Sequence, residues 1–203
     1  MTKKIALFGG AFDPIHSGHI EICQYVLNNT DMDEVWISPC YRHMHGKHMT
    51  ENLQRLAMCF TAADCVKDDR LHVWEWEIKI KHQGSTFDLL TKHFGFCDMA
   101  MQDAEWSYII GLDNANNFDK WKYYDKLQKM IKFITVSRQG EEVYPEITWY
   151  KEKPHIFLEA GDEVRNISST QLRELLKANP EEARKDLNSA VFEYIQEHKL
   201  YLK

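Results

Sequence analysis

One stretch decides the fold of this 203-residue chain: KIALFGGAFDPIHSGHIEICQYVL, residues 4–27. Its first part, from Lys4 to Phe8, is apolar without alternation, which is typical of a central strand covered on both faces. Its last part, from Gly18 to Leu27, carries apolar residues at helical spacing. The sequence therefore predicts a strand, a glycine-rich turn and a helix in direct succession.

The same alternation continues along the chain. Further strands are predicted at Glu34 to Ser38, Leu71 to Glu75, Ser107 to Ile110, Lys132 to Val136 and Ile156 to Glu159. Helices are predicted at Glu51 to Cys65, Phe87 to Phe94 and Tyr123 to Met130. Strands separated by helices indicate βαβ units, so we expect an α/β fold with a doubly wound parallel sheet.

The C-terminal part changes character. Asn179 is placed to cap a helix that has Pro180 at its first position, and a further helix is predicted over Ser189 to Lys199. We expect a single domain over residues 1–203, with an α/β core at 1–165 and a small C-terminal helical segment at 166–203. The stretches Cys40 to His48 and Gln139 to Pro154 are predicted to be surface loops.

Composition excludes several classes of protein. The chain has 44% hydrophobic and 28% charged residues, close to globular averages, and a formal net charge of −6. An acidic balance disfavours a nucleic-acid coat but permits small anionic ligands, which respond to local charge. Five cysteines without a C-x-x-C pair favour free thiols in a reducing compartment. No apolar run approaches a membrane span or a signal sequence, so we expect a cytoplasmic protein with no membrane or nucleic-acid partner.

The turn after the first strand has the chemistry of a phosphate site. Gly9 and Gly10 permit close backbone approach, and the helix that follows directs its free N–H groups at the same place. His16 and His19 are spaced to face one cavity, where both imidazoles can donate hydrogen bonds to phosphate oxygens. The alternative is a plain strand–turn–helix with two space-filling histidines. The dinucleotide G-x-G-x-x-G pattern and the P-loop pattern are both absent.

Gly9 to His19 resembles the G-G-[ST]-F-D-P-x-H-x-G-H signature of the HxGH nucleotidyltransferase superfamily. Three more segments resemble motifs of its nicotinate/nicotinamide-nucleotide adenylyltransferase family. Gly84 to Leu90 is similar to S-Y-T-x-D-T-L, and Ile109 to Arg138 to I-I-G-x-D…F-x-x-W…R-x-G. Ile167 to Arg173 is similar to I-S-[SA]-T-x-x-R. The resemblance covers nearly the whole chain in order and implies a Rossmann-like sheet.

The resemblance implies two groups of site residues. Catalysis would fall to His16 and His19. The residues implied to bind ATP are Gly9, Gly10, Ala11, Phe12, His16, His19, Gly111, Asp113, Ile167, Ser168, Ser169, Thr170 and Arg173. The residues implied to bind the mononucleotide are His45, Lys47, Thr86, Phe87, Trp121, Lys122 and Arg138.

The residues themselves also allow plainer roles. Ser168 and Gln171 are spaced as a capping box, so their segment also reads as an ordinary capped helix. Asp113 could be a helix cap, and Trp121 a half-buried surface tryptophan. The sequence departs from the family pattern at Ala11, where relatives have Thr or Ser, and in the loop around His45 and Lys47, which lacks the two prolines of P-P-H-K. A metal site of Cys40, His43, His45 and His48 is disfavoured by its irregular spacing.

The reaction implied by the resemblance joins ATP and nicotinate mononucleotide to give nicotinate adenine dinucleotide and pyrophosphate. Mg²⁺ would enter with ATP, held mostly by phosphates and water, and no metal-binding residues are assigned. The same reaction on nicotinamide mononucleotide remains open, as does a homo-oligomeric state. Less favoured alternatives are pantetheine-phosphate adenylyltransfer, cytidylyltransfer and a catalytically silent nucleotide-binding regulator.

Overall fold

The computed structural model describes residues 2–42, 46, 48–92 and 104–202. Six strands form one sheet: β1 (Lys4–Gly10), β2 (Glu34–Pro39), β3 (Leu71–Val73), β4 (Glu105–Gly111), β5 (Lys132–Ser137) and β6 (Ile156–Glu159). All pairings are parallel, in the order β3-β2-β1-β4-β5-β6. This is the doubly wound order in which the winding direction reverses between β1 and β4. The predicted fold class is confirmed.

Helices connect and flank the strands. They are α1 (Ser17–Asn29), α2 (Asn52–Val66), α3 (Trp76–Lys79), α4 (Thr86–Lys92), α5 (Leu112–Asn116), α6 (Tyr124–Met130), α7 (Ser169–Ala178), α8 (Pro180–Ala183) and α9 (Ser189–Glu197). The predicted helices are found at these places with small differences at their ends. The end of the predicted Phe87 to Phe94 helix lies outside the described residues. None of the helices in the described part of the chain is long and apolar enough to span a bilayer.

The third strand is shorter than predicted. The apolar run from Leu71 continues to Glu75, but β3 ends at Val73 and the short helix α3 begins at Trp76. Trp74 still donates its backbone N–H to the carbonyl oxygen of Ile37, at 2.8 Å. The chain therefore leaves the sheet edge after one more hydrogen bond, and it turns towards the site described below.

Each face of the sheet carries its own core. Ala6 and Phe8 of β1 point to the face covered by α1 and α2, whereas Leu7 points to the opposite face with Tyr108 and Phe133. Leu172 of α7 and Val191 of α9 belong to the first of these cores. The C-terminal segment thus packs into the same core as β1.

Candidate nucleotide-binding site at the carboxyl ends of β1 and β4

The carboxyl ends of β1 and β4 converge where the sheet reverses its winding. Ligands of doubly wound sheets bind at this position, because the connections on the two sides diverge and leave a crevice. β1 ends at Gly10 and leads into the turn that carries His16, whereas β4 ends at Gly111 and leads into α5. The predicted phosphate turn and the predicted Gly111–Asp113 segment are therefore neighbours.

His16 and His19 stack on each other at the start of α1. Their ring centroids are 3.6 Å apart with planes inclined by 21°. His16 caps α1 and is buried, and its Nδ1 has no hydrogen-bond partner among the described residues. A buried polar atom of this kind calls for an external partner, and a ligand oxygen would supply one.

Hydrogen bonding fixes the tautomer of His19. The backbone N–H of His16 donates to Nδ1 of His19 at 3.2 Å. Because Nδ1 accepts, the ring proton of a neutral imidazole must be on Nε2, which is then a donor. The edge of the Phe12 ring packs against His19, with the centroids 5.0 Å apart, and holds the imidazole in place.

Both histidines are uncharged at neutral pH. Burial, together with the nearby positive charges of Arg138 and Arg165, lowers the pKa of His16 to about 3. Burial also holds the pKa of His19 well below its usual range, with contributions from His16 and Arg138. The pair therefore offers neutral N–H donors, and an arriving phosphate would raise both pKa values.

Two glycines are required here by close packing. A Cβ atom at Gly9 would lie 2.0 Å from the hydroxyl of Tyr108, and one at Gly18 would lie 2.8 Å from the carbonyl oxygen of Arg165. Gly9 therefore makes room for a tyrosine of β4, a reason that the sequence motif did not indicate. Gly18 brings α1 close to the segment that precedes α7.

The segment Ile167–Arg173 meets the phosphate turn, although more than 150 residues separate them along the chain. Ser168 caps α7, its side chain accepting from the Gln171 N–H at 3.5 Å. The Ser169 hydroxyl donates to the Pro14 carbonyl at 3.3 Å, and Nη1 of Arg173 donates to the Asp13 carbonyl at 2.6 Å. Two helix N-termini, those of α1 and α7, are thus held beside one turn.

A cavity of about 260 Å³ extends from the phosphate turn across the carboxyl end of β4. It begins at Gly9, Gly10 and Ala11, and Trp121 and Lys122 line it together with Thr86. Three of the residues predicted to bind the mononucleotide, Thr86, Trp121 and Lys122, therefore line one cavity that begins at the phosphate turn. Phe87 is beside it and packs on Tyr123, with ring centroids 4.8 Å apart.

Asp88 anchors the α4 side of this cavity. Its carboxylate accepts from the hydroxyl and backbone N–H of Ser85, at 2.7 and 3.0 Å, and lies 3.8 Å from the ammonium of Lys122. These hydrogen bonds and the charge of Lys92 hold the pKa of Asp88 well below its usual range. Asp88 therefore ties Lys122 to the start of α4.

Other predicted site residues lie elsewhere. The guanidinium of Arg138 binds Glu141 and lies 3.4 Å from Asp113, and Arg138 does not line the cavity. Asp113 is the second residue of α5, and its side chain is 58% exposed. His45 and Lys47 lie outside the described residues, as do two further positions of their loop, so the structure adds nothing to their predicted roles.

Several residues at the site are not indicated by the sequence motifs. Arg55 is fully buried, and its guanidinium donates to the carbonyl oxygens of Ala11 at 2.5 Å and Cys40 at 2.6 Å. Arg55 lies on the buried face of α2 with Cys59, one turn later, and this position was the available signal. Glu77 of α3 lines the cavity and accepts from the Ser38 hydroxyl at 3.2 Å.

Burial raises the pKa of Glu77 to about 7, although Ser38 and Arg55 favour its ionised form. The hydroxyl of Tyr108 and the thiol of Cys40 also face this carboxyl, and burial raises the pKa of Cys40 to about 11. Glu77 is an acidic group with a raised pKa at a cavity whose described lining also includes the cations Arg42, Lys120 and Lys122.

Comparisons with known proteins agree with this geometry. Residues 7–175 match the family model described as cytidylyltransferase-like. The chain is 34% identical to a Fusobacterium nucleatum protein named "probable nicotinate-nucleotide adenylyltransferase", over 86% of this chain and 88% of the relative. A Myxococcus xanthus protein of the same name is 32% identical over 98% and 94% of the two chains.

A solved structure has the same fold. The Plasmodium falciparum nicotinic acid mononucleotide adenylyltransferase, complexed with NaAD, superposes with a TM-score of 0.80 at 21% identity, covering 98% of this chain and 97% of the other. The signature turn, the two helix N-termini beside it and these relatives lead to one conclusion. The chain belongs to the nicotinate-nucleotide adenylyltransferase family of the cytidylyltransferase-like nucleotidyltransferases.

Proposed function

We propose that the protein transfers the adenylyl group of ATP to nicotinate mononucleotide, giving nicotinate adenine dinucleotide and pyrophosphate. One observation carries this proposal: a single cavity begins at Gly9 and Gly10 of the phosphate turn and is lined by Trp121 and Lys122. A mononucleotide lying in it would place its phosphate at the turn and its pyridine ring near the indole. The names of the relatives agree with this assignment.

The charges around the cavity favour the acid over the amide. Arg42, Lys120 and Lys122 line it, against the single carboxyl of Glu77, whose pKa is raised to about 7. A partly protonated carboxyl repels a nicotinate carboxylate less than a full charge would, and the three cations attract it. The described side chains that line the cavity carry a net positive charge on a protein whose total charge is −6, and Asp88 offsets part of it beside Lys122.

The chemistry is an in-line displacement at phosphorus. A 5′-phosphate oxygen of the mononucleotide forms a bond to the α-phosphorus of ATP, the bond from that phosphorus to the α–β bridging oxygen breaks, and pyrophosphate leaves with the electron pair. The protein contributes positioning and charge stabilisation. Nε2–H of His19, fixed by its backbone bond, and the imidazole of His16 donate to the phosphate oxygens as negative charge develops.

The phosphates of ATP are proposed to bind at the N-termini of α1 and α7. Gly9 to Phe12 and His16 and His19 would hold the α-phosphate, and Ile167 to Thr170 with Arg173 the outer phosphates. Arg173 already donates to the Asp13 carbonyl, so it would bind phosphate with its remaining N–H groups. Gly111 and Asp113 would face the adenosine, and the exposed carboxylate of Asp113 is able to accept from ribose hydroxyls.

Mg²⁺ is proposed to arrive with ATP. Within the described residues, no group of three His, Cys, Asp or Glu side chains is placed to hold a metal ion. Mg²⁺ commonly keeps phosphate oxygens and water as its ligands. Bound there, it would neutralise part of the triphosphate charge.

The free cysteines of the described part fit a reducing compartment such as the cytoplasm.

Nicotinamide mononucleotide is the second candidate, and Glu77 is the observation that favours it. When ionised, this carboxylate would accept a hydrogen bond from an amide and repel a carboxylate. The preference between the two acceptors would then shift towards the amide as the pH rises through about 7.

The test is pyrophosphate release from ATP and Mg²⁺ with nicotinate mononucleotide, nicotinamide mononucleotide or phosphopantetheine as acceptor. We expect the highest kcat/KM with nicotinate mononucleotide at pH 7. A higher value with the amide at every pH would replace the proposed substrate with the second candidate. Tight ATP binding without release for any acceptor would overturn the proposed activity.

A further inference from the structure

Residues from distant segments hold three carbonyl groups of the phosphate turn. Arg55 of α2 donates to the Ala11 carbonyl, at a separation of 44 residues. Arg173 donates to the Asp13 carbonyl, and Ser169 to that of the next residue. The conformation of the turn therefore depends on hydrogen bonds from side chains of α2 and α7.

The side chain of Asp13 is the remaining polar group of this turn. It is 3% exposed and makes no ion pair with any described residue. Its Oδ2 accepts from the backbone N–H of Thr50 at 3.3 Å, and its Oδ1 accepts from the hydroxyl of Tyr201 at 2.6 Å. The Tyr201 bond is the shorter of the two, and a short bond to a carboxylate is typical of a strong one.

Tyr201 reaches this position because the chain reverses after α9. Lys199 adopts a left-handed conformation with φ of 53°, and the N–H of Leu200 bonds to the carbonyl of Ile195, at 3.0 Å, which closes the helix. Burial and the charge of Asp13 hold the pKa of Tyr201 above its usual range, so its proton stays in place and the hydroxyl is the donor.

We propose that Tyr201 is a positioning residue of the transfer site, acting through Asp13 on the orientation of His16. This inference rests on the proposed function. Only Pro14 and Ile15 stand between Asp13 and His16, and Ile15 is fully buried, so a main-chain shift of Asp13 on loss of the Tyr201 bond would also displace His16. A displacement of about 1 Å in a reacting geometry can cost up to about 100-fold in rate.

Tyr194 provides a matched control on the neighbouring helix α9. Its hydroxyl donates to Oε1 of Gln54 at 2.5 Å, on α2. Tyr194→Phe and Tyr201→Phe each remove one hydroxyl that bonds a side-chain oxygen at least 140 residues away. Only the second bond reaches the phosphate turn.

The experiment compares the two variants by steady-state kinetics with ATP, Mg²⁺ and nicotinate mononucleotide, and by thermal unfolding. For Tyr201→Phe we expect kcat to fall about tenfold, with both KM values within twofold of wild type. For Tyr194→Phe we expect unchanged kcat and a similar change in Tm. A kcat for Tyr201→Phe within twofold of that for Tyr194→Phe would overturn the proposal. A fall in kcat that is proportional to the fall in Tm in both variants would also overturn it.

Asp13→Ala removes the acceptor and supplies a double-mutant cycle. If Tyr201 acts through Asp13, adding Tyr201→Phe to Asp13→Ala lowers kcat by much less than tenfold, whereas independent effects would multiply. A multiplicative result contradicts the route through Asp13.

NMR of the histidine rings gives a readout that does not need turnover. We expect the ring resonances of His16 and His19 to shift in Tyr201→Phe and to stay in place in Tyr194→Phe. Unchanged ring resonances in both variants would overturn the positioning role. If the wild-type protein releases no pyrophosphate with any acceptor, the proposed function fails, and the NMR comparison still decides on Tyr201.

Discussion

The phosphate turn and the cavity beside it are built in different ways. At the turn, buried neutral groups are held by backbone bonds: His16 donates to His19, and Arg55 and Arg173 fix the carbonyls. In the cavity, Lys120 and Lys122 carry their charges on long, exposed side chains.

This difference agrees with the role proposed for each region. Transition-state stabilisation depends on donors that do not reorganise during the reaction, so it requires a rigid and partly dry setting. Recognition of a charged ring substituent depends on a net local field, which mobile cations supply adequately. Substitutions at the turn should therefore change kcat or stability, and substitutions in the cavity should mainly change KM.

The largest effect is expected for His19→Ala. Loss of one charge-stabilising donor should lower kcat by about 100-fold, with little effect on folding. His198→Ala is the matched control, because His198 is an exposed histidine that packs on Tyr194, with ring centroids 4.2 Å apart. Pyrophosphate release and the far-UV spectrum would be measured for both. Near-normal turnover of His19→Ala would contradict the proposed chemistry.

Glu77→Gln should change how stability depends on pH. The folded-state pKa is raised from 4.5 to about 7, so the folded protein holds a proton that the unfolded chain has lost. The contribution of Glu77 to the free energy of unfolding is therefore greatest below pH 4.5. Between pH 4.5 and 7 the free energy of unfolding of the wild type falls by about 2–3 kcal/mol relative to that of the variant.

Urea unfolding between pH 5 and pH 8 would measure this difference. Glu75→Gln, which removes an exposed carboxylate directly before the same helix, should follow the wild type. The histidines of the turn cancel in the comparison, because both proteins contain them. If the difference in the free energy of unfolding between wild type and Glu77→Gln stayed constant across this range, the carboxyl would ionise normally.

Arg55→Met tests how strongly the turn is held from outside. It leaves the buried carbonyl oxygens of Ala11, Cys40 and Thr50 without this donor, and it should destabilise the protein by about 2 kcal/mol. Arg70→Met removes an exposed guanidinium that binds Asp68, and its effect should be far smaller. Equal denaturation midpoints for the two variants would mean that Arg55 does not stabilise the turn.

The smallest effect is expected for Lys122→Ala. Removing this partly exposed cation should raise the KM for nicotinate mononucleotide about fivefold, with kcat nearly unchanged and little effect on the amide substrate. Lys126→Ala is its control: Lys126 lies 5.2 Å from the Tyr123 ring centroid and does not line the cavity. An equal rise in KM for both substrates would mean that Lys122 does not recognise the carboxylate.

The strand–turn–helix at residues 4–27 and the order of strands and helices could be predicted from the sequence, which also predicts where the phosphate site lies. Apolar periodicity, capping residues and glycines act over a few residues, so they can be recognised without the fold. The prediction that β3 extends to Glu75 was wrong because it also used a local pattern. An apolar run indicates burial and does not distinguish a strand from the approach to a short helix.

Only the tertiary structure decided which groups hold the turn. Tyr201 lies 188 residues from Asp13, and Arg173 lies 160 residues away. Gly9 is required by a tyrosine of another strand, and Arg138 binds Glu141 outside the cavity. Buried polar groups need hydrogen-bond partners, and in the folded chain these partners come from segments that are distant in sequence. A local sequence pattern does not indicate which segment supplies the partner.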